Sequence, residues 1–297
     1  MLTHLSDQPV AGVAMGNVAL LRLDAMGGLA PGNKHFKLMG NLRTASGRGV
    51  RRLLSFGGAW SNHLHALAAL GAEQGMATVG IVRGDDDTSE SAMLTDARGW
   101  GMRIIKVSRA EYRQRYDPAY LEQLARQFAP CMLIPEGGAN PEGVRGCRAI
   151  AQLLLEQAPA ARRVLLPVGT GTTLAGLVAG LDSDWEVIGV AALKGAADLD
   201  QRVESALAAM PRAPAARWRI LHSEHCGGFA RVNDDLRDFM LAFEAAQGVA
   251  LEPVYTGKML YAIYRRLRSG EWRADEPLLA VHTGGLQGRR GYSWLDG

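Results

Sequence analysis

Lys34 stands in Pro31-Gly32-Asn33-Lys34-His35-Phe36-Lys37-Leu38, where a glycine-led turn feeds a lysine into what reads as the first turn of a helix. The positive end of the helix dipole disfavours an ammonium there. A neutral amine is the form that attacks a carbonyl to make a Schiff base. A solvated surface lysine fits the same position, so Lys34 gains meaning only from partners. Four other loops offer them. Gly57-Gly58-Ala59-Trp60-Ser61-Asn62-His63 combines two glycines, which let the backbone approach a ligand, with a helix start whose amides suit a carboxylate. Ser61 is there either as a helix cap or as a working hydroxyl. Gly169-Thr170-Gly171-Thr172-Thr173 reads as a phosphate cradle, or else as a threonine-capped turn. It is no Walker A loop, since no Gly-Lys-Thr/Ser follows, and Gly176 comes too late for G-x-G-x-x-G. Leu251-Glu252-Pro253-Val254-Tyr255-Thr256-Gly257-Lys258 brings a tyrosine to a helix start, as proton donor or packing ring. The last such loop is His282-Thr283-Gly284-Gly285-Leu286-Gln287-Gly288. His63, His65 and His282 read first as structural, and with no acidic or cysteine partner at ligand spacing no metal site is expected.

The elements that must position these loops alternate. Aliphatic runs predict strands over 52–56, 78–82, 103–107, 131–134, 164–168, 187–191 and 278–282. Amphipathic stretches predict helices over 61–74, 89–100, 118–128, 141–157, 172–181, 199–210, 233–247 and 257–268, several opened by cap residues such as Ser61, Ser89 and Asn233. Such alternation means α/β architecture with parallel sheets covered by helices. Ligands then bind at the carboxyl ends of the strands, where the loops above fall. No long linker separates domains, so a second lobe has to be woven into the chain.

At 297 residues the chain can bury a substantial core. A net charge of +3 without any basic, aromatic-interleaved run argues against nucleic acid as a partner. The N-terminus has neither a basic nor an apolar leader region, and no apolar run is long enough to span a bilayer, so no membrane role is expected. Three cysteines are too few and too odd for a disulfide framework, and a reducing cytoplasm is the expected home.

The motifs Gly32-Asn33-Lys34, Gly57-Gly58 with Ser61-Asn62-His63, Gly169 to Thr173 with Ala175-Gly176, Pro253 to Lys258 and His282 to Gly285 follow one another in an order that resembles a known family. It is the family of 1-aminocyclopropane-1-carboxylate deaminase and D-cysteine desulfhydrase, pyridoxal-phosphate enzymes of the tryptophan-synthase-β type (fold type II). The resemblance covers most of the chain from about Gly27 onward. It implies that Lys34 carries pyridoxal 5′-phosphate and that Gly169, Thr170, Gly171, Thr172 and Thr173 bind its phosphate. Asn62 would bond the pyridoxal 3′ oxygen, and Ser61 would sit near the substrate carboxylate and share in proton transfer. Tyr255 would face the substrate from the other side, with His63 and Phe229 also lining its site. It further implies two parallel-sheet lobes, a small one (44–147) inserted in a larger cofactor domain (1–43 and 148–297), and a homodimer.

Within that family, the ring-opening deaminase has a glutamate after the tyrosine, facing the pyridine nitrogen, and a leucine after the histidine of the last loop. Thr256 and Thr283 match the desulfhydrase pattern instead. A hydroxyl leaves the ring nitrogen neutral, and the weaker electron sink suffices when a good leaving group departs from Cβ. The expectation is therefore β-elimination from a small amino acid such as D-cysteine. Ring opening, racemisation and dehydration are the alternatives within the cofactor class. The chain lacks the usual arginine between Lys34 and Lys37, and Phe229 replaces an active-site tyrosine. A non-catalytic cofactor- or amino-acid-binding protein is the alternative of another class.

Overall fold

The computed structural model describes residues 1–84, 90–158, 161–211 and 216–295. Among them the strands are β1 (Leu2–His4), β2 (Val18–Arg22), β3 (Arg52–Gly58), β4 (Ala77–Arg83), β5 (Arg103–Val107), β6 (Met132–Leu133), β7 (Arg163–Val168), β8 (Glu186–Ala191), β9 (Arg217–Leu221) and β10 (Leu278–His282). The α-helices are α1 (Asn33–Gly47), α2 (Asn62–Glu73), α3 (Ala92–Gly99), α4 (Arg109–Arg113), α5 (Pro118–Gln127), α6 (Pro141–Gln157), α7 (Thr172–Val178), α8 (Leu199–Ala208), α9 (Asp234–Gln247) and α10 (Thr256–Arg268). Two compact units result, one of Met1–Met26 with Cys147–Leu286, the other of Gly27–Gly146 with Gln287–Gly297.

The first unit holds a six-stranded sheet in the order β1-β2-β10-β7-β8-β9, and the second a four-stranded sheet in the order β5-β4-β3-β6. The pairs are parallel apart from β1 with β2. This is the α/β, mostly parallel architecture that strand–helix alternation predicts, with the two sheets that the family resemblance implies. Every residue of β10 is buried between β2 and β7, as a parallel strand covered on both faces requires. In the second unit the apolar faces of α1 and α2 close over β3 through Leu38, Leu42, Leu64, Leu67 and Leu53.

Three strands escape the sequence pattern. β9 reads Arg-Trp-Arg-Ile-Leu and lies at a sheet edge, where exposed arginines are tolerated. Arg219 and Arg163 reach Glu186 at 2.9 and 2.8 Å across neighbouring strands. β1 and β2 precede the first motif, and β2 is an apolar run that burial makes a strand. The helix expected from 89 begins at Ala92, capped by Ser91, whose side chain accepts the Leu94 N–H; Ser89 lies outside the described residues. By internal packing α1 belongs with the four-stranded unit, whereas the resemblance assigned residues 1–43 to the cofactor domain. Among the described residues no helix is long and apolar enough to cross a membrane.

Candidate active site

In the four-stranded unit, Gly32 opens α1 with a φ of 110°, a left-handed value that favours glycine, and its carbonyl accepts the first helical N–H, from His35, at 3.1 Å. Lys34 therefore sits in the first turn, half-buried, with Nζ donating to Asn33 Oδ1 at 3.0 Å. Three residues on, Lys37 is buried and donates to the Gly137 carbonyl at 3.2 Å. The helix is locked in place by a reciprocal amide pair, Asn140 Nδ2 to Asn41 Oδ1 at 2.6 Å and Asn41 Nδ2 to Asn140 Oδ1 at 3.2 Å. Gly146 approaches so closely that a Cβ there would lie 2.0 Å from the Phe36 carbonyl oxygen. The backbone around Lys34 is thus held firmly, as a site lysine requires.

The loop after β3 gives Ser61 its plainer job: Oγ caps α2 by accepting the Leu64 N–H at 3.2 Å. That contact uses a lone pair and not the hydroxyl proton. Asn62 Oδ1 accepts from Gln287 Nε2 at 2.6 Å, so the Asn62 amide presents its N–H₂ end, a donor, to any oxygen it meets. Gln287 was not singled out from the sequence.

His63 is buried beside these groups. Ser55 Oγ donates to the Ile134 carbonyl at 2.7 Å, so it must accept from His63 Nε2 at 2.8 Å. The lone pair is then on Nδ1, which is buried without a partner among the described residues. Burial, then the charges of Lys34 and Lys37, pull the ring's pKa from 6.5 down to about 3. The unfolded chain takes up this proton near pH 6.5 and the folded one does not until about pH 3, so stability is full above 6.5 and is lost as pH falls through that window. About 2 kcal/mol should disappear between pH 6.5 and 5 in guanidinium unfolding. His63→Gln should flatten that slope; an unchanged slope in the variant would assign the acid sensitivity elsewhere.

In the six-stranded unit the glycine–threonine loop joins β7 to α7. Gly171 takes a φ of 83° at the helix cap, and a Cβ there would come within 2.7 Å of Val203 Cγ2. Thr172 and Thr173 are buried, and Thr170 and Thr172 share a hydroxyl contact at 2.9 Å. Hydroxyls and amides gathered at a left-handed glycine fit a phosphate. Tyr255 lies over the loop's first residue: a Cβ on Gly169 would sit 3.2 Å from the tyrosine ring and 3.3 Å from its hydroxyl. Phe229, half exposed, meets Tyr255 edge-on at 6.2 Å between centroids. Its segment passes through left-handed backbone at Cys226, Gly227, Gly228 and Ala230. Buried Lys258 pins that segment, donating to the Gly228 carbonyl at 2.6 Å and the Ala192 carbonyl at 3.3 Å, while burial pushes its amine down to about 8.

Thr256 is wholly buried, and its hydroxyl accepts the Glu252 N–H at 3.0 Å. Glu252, also buried, is the site residue that sequence reasoning missed. Its carboxylate accepts N–H groups from Val254, Tyr255 and Thr256 at 2.9, 2.8 and 2.7 Å and so caps α10 one residue earlier than expected. Burial pushes this carboxyl up, against those donors and the charge of His282. An acidic residue just before a helix was the available signal. Thr283, buried, follows His282, whose ring contacts the Ala250 carbonyl and Asp24 at 2.9 Å each. Among the described residues, no group of three His, Cys, Asp or Glu side chains could hold a metal ion.

Comparison with known proteins places these residues in context. The family model described as pyridoxal-phosphate dependent enzyme matches residues 34–284. A curated protein of Pyrococcus horikoshii, provisionally named 1-aminocyclopropane-1-carboxylate deaminase, is 24% identical over 282 residues, covering 92% of this chain and 86% of its own. One of Pyrococcus abyssi with the same provisional name is 26% identical, covering 86% and 81%. A crystal structure of an ACC deaminase homologue shares the fold, with a TM-score of 0.81 at 23% identity over 100% of this chain and 93% of that one.

Proposed function

This chain belongs to the pyridoxal-phosphate-dependent enzyme family, and on that premise we propose that it is a lyase performing β-elimination on a small amino acid of the D-cysteine type. Bound pyridoxal 5′-phosphate supplies an electron sink for the charge left at the substrate Cα. Gly169, Thr170, Gly171, Thr172 and Thr173 would hold its phosphate, and the Asn62 amide would donate to its 3′ oxygen. Lys34 would carry the cofactor, and its Nζ would take the Cα proton. Ser61 would sit near the substrate carboxylate, and His63 would line the same site. Tyr255 returns a proton toward the leaving group, and Phe229 packs beside it. The β-thiol departs as hydrogen sulfide, and water completes conversion of the remainder to a 2-oxo acid and ammonia. We take the protein to be a cytoplasmic homodimer.

The observation that carries elimination over ring opening is the pair Thr256 and Thr283: Thr256 puts a hydroxyl where the deaminase has a carboxylate that would keep the ring nitrogen protonated, and Thr283 stands where it has a leucine. Glu252, bonded to Thr256, does not substitute for that carboxylate, because both of its oxygens accept backbone N–H groups. Purified holoenzyme should release equal amounts of sulfide and pyruvate from one cysteine enantiomer, and faster than it forms 2-oxobutanoate from 1-aminocyclopropane-1-carboxylate. The reverse ranking would establish the deaminase. Phe229 supports a second reading, a binding protein that has lost turnover: its cofactor spectrum would shift on adding amino acids and no keto acid would appear.

A further inference from the structure

We propose that Gln287 is a positioning residue that fixes which end of the Asn62 amide faces the ligand, and that a short clamped segment holds it in place. Its bearing on the cofactor rests on the proposed placement of Asn62 at the pyridoxal 3′ oxygen. By internal packing Gln287–Gly297 belongs with the four-stranded unit, so the contact lies within one unit. Gln287 Nε2 donates to Asn62 Oδ1 at 2.6 Å. That occupies the carbonyl end of Asn62 and leaves Nδ2, which makes no hydrogen bond among the described residues, to serve a ligand. An ionised 3′ oxygen only accepts, so the N–H₂ end is the one it needs. The reverse arrangement, Gln287 Oε1 accepting from Asn62 Nδ2, would turn the wrong end to it. It would also put Gln287 Nε2, with two protons to place, where Oε1 now lies buried without a partner. A stranded N–H₂ group is worse tolerated than an under-satisfied carbonyl oxygen.

The backbone that carries Gln287 is fastened on several sides. It is a 3₁₀ turn, Leu286–Gly291, in which Arg290 Nε donates to the Gln287 carbonyl at 3.2 Å. The same guanidinium forks onto both oxygens of Asp96 in α3, a geometry that resists rotation. Asp96 Oδ2 also meets His65 Nε2 in α2 at 3.0 Å. Gly291 lies flat against Trp60, where a Cβ would come 3.3 Å from the indole. The segment therefore touches Trp60 before α2, Asn62 at its first position and, through Asp96, His65 one turn on. Gln287 is held in register with the residue it orients.

A double-mutant cycle tests this. Pyridoxal 5′-phosphate is titrated into wild type, Gln287→Met, Asn62→Ala and the double variant, reading the dissociation constant and the pH midpoint of the bound cofactor's absorption band. Methionine keeps the bulk of glutamine and removes its donor. Gln287→Met should weaken cofactor binding about 3–10-fold, the worth of one hydrogen bond, and move the midpoint. On the Asn62→Ala background the same replacement should change neither. Equal effects on both backgrounds, or wild-type affinity and midpoint in Gln287→Met, overturn the positioning role. If Gln287→Met loses the circular dichroism of the fold, Gln287→Glu above pH 8 takes its place with the same expectations, since an ionised carboxylate accepts but cannot donate. Unaltered binding in Asn62→Ala refutes the placement of Asn62 and the role of Gln287 with it. Wild-type protein that takes up no pyridoxal phosphate sinks the functional reading itself.

Discussion

Lys34→Ala should reduce turnover by about 10²–10⁴-fold and leave the fold unchanged. The expected loss is large because one amine does two things in the proposed reaction, carrying the cofactor and taking the Cα proton. The expected structural cost is small because Lys34 is half-buried in a first helical turn, and alanine suits a helix better than lysine does. Lys37 is the instructive rival. It lies on the same helix three residues on, but it is buried and donates to the Gly137 carbonyl, so Lys37→Ala should leave that buried acceptor short of a donor at about 1–3 kcal/mol of stability. Borohydride treatment followed by peptide mapping separates the two. Wild-type protein should carry reduced cofactor on Lys34 and the Lys34→Ala variant none. Label on Lys37, or a Lys34→Ala variant with undiminished product formation, would dismiss Lys34 from its role.

How much of this was legible beforehand depended on whether the cause was local. Most parallel strands announced themselves because burial on both faces demands continuous apolar runs, as in Leu-Leu-Ala-Val at β10, although the equally apolar β2 was missed. β9 did not, because an edge strand can carry Arg217 and Arg219 outward. Cap chemistry was local too, which is why Ser61 and Asn233 were found at their helix starts, each accepting an N–H three residues on. The candidate site followed the same rule. Glycines and hydroxyls clustered at strand ends marked Lys34, Ser61, the Gly169–Thr173 loop and Tyr255. The groups that orient them were hidden by distance along the chain: Gln287 reaches Asn62 from 225 positions away. Asp24 meets His282 only because β2 and β10 pair in register. His63 read first as structural, and the structure adds one property, a neutral ring whose Nδ1 lone pair is buried and unpartnered among the described residues.

Glu252→Ala should cost about 3–5 kcal/mol of folding stability, the largest loss expected from a single residue outside the apolar core. Three backbone N–H groups end on this carboxylate, two of them on Oε1 and one on Oε2, and Thr256 Oγ1 lies 3.3 Å from Oε1. Removing it strands several donors in a buried turn, each worth about 1–3 kcal/mol when left without an acceptor. Glu252→Gln should fall between. Its amide oxygen can keep Tyr255 and Thr256, while its N–H₂ group would oppose the Val254 N–H, a loss of about 1–3 kcal/mol. The ordering of wild type, Gln and Ala in guanidinium unfolding checks the argument, and an alanine variant within 1 kcal/mol of wild type would refute it. The same turn explains why position 256 carries a hydroxyl here. A glutamate there would bring a second carboxylate against Glu252 inside a wholly buried site, where two like charges cannot both ionise cheaply. The residue that shapes the backbone beneath Tyr255 thereby bears on the proposed chemistry as well: with Glu252 committed to the helix start, a second carboxylate at position 256 is disfavoured, which supports the proposed β-elimination.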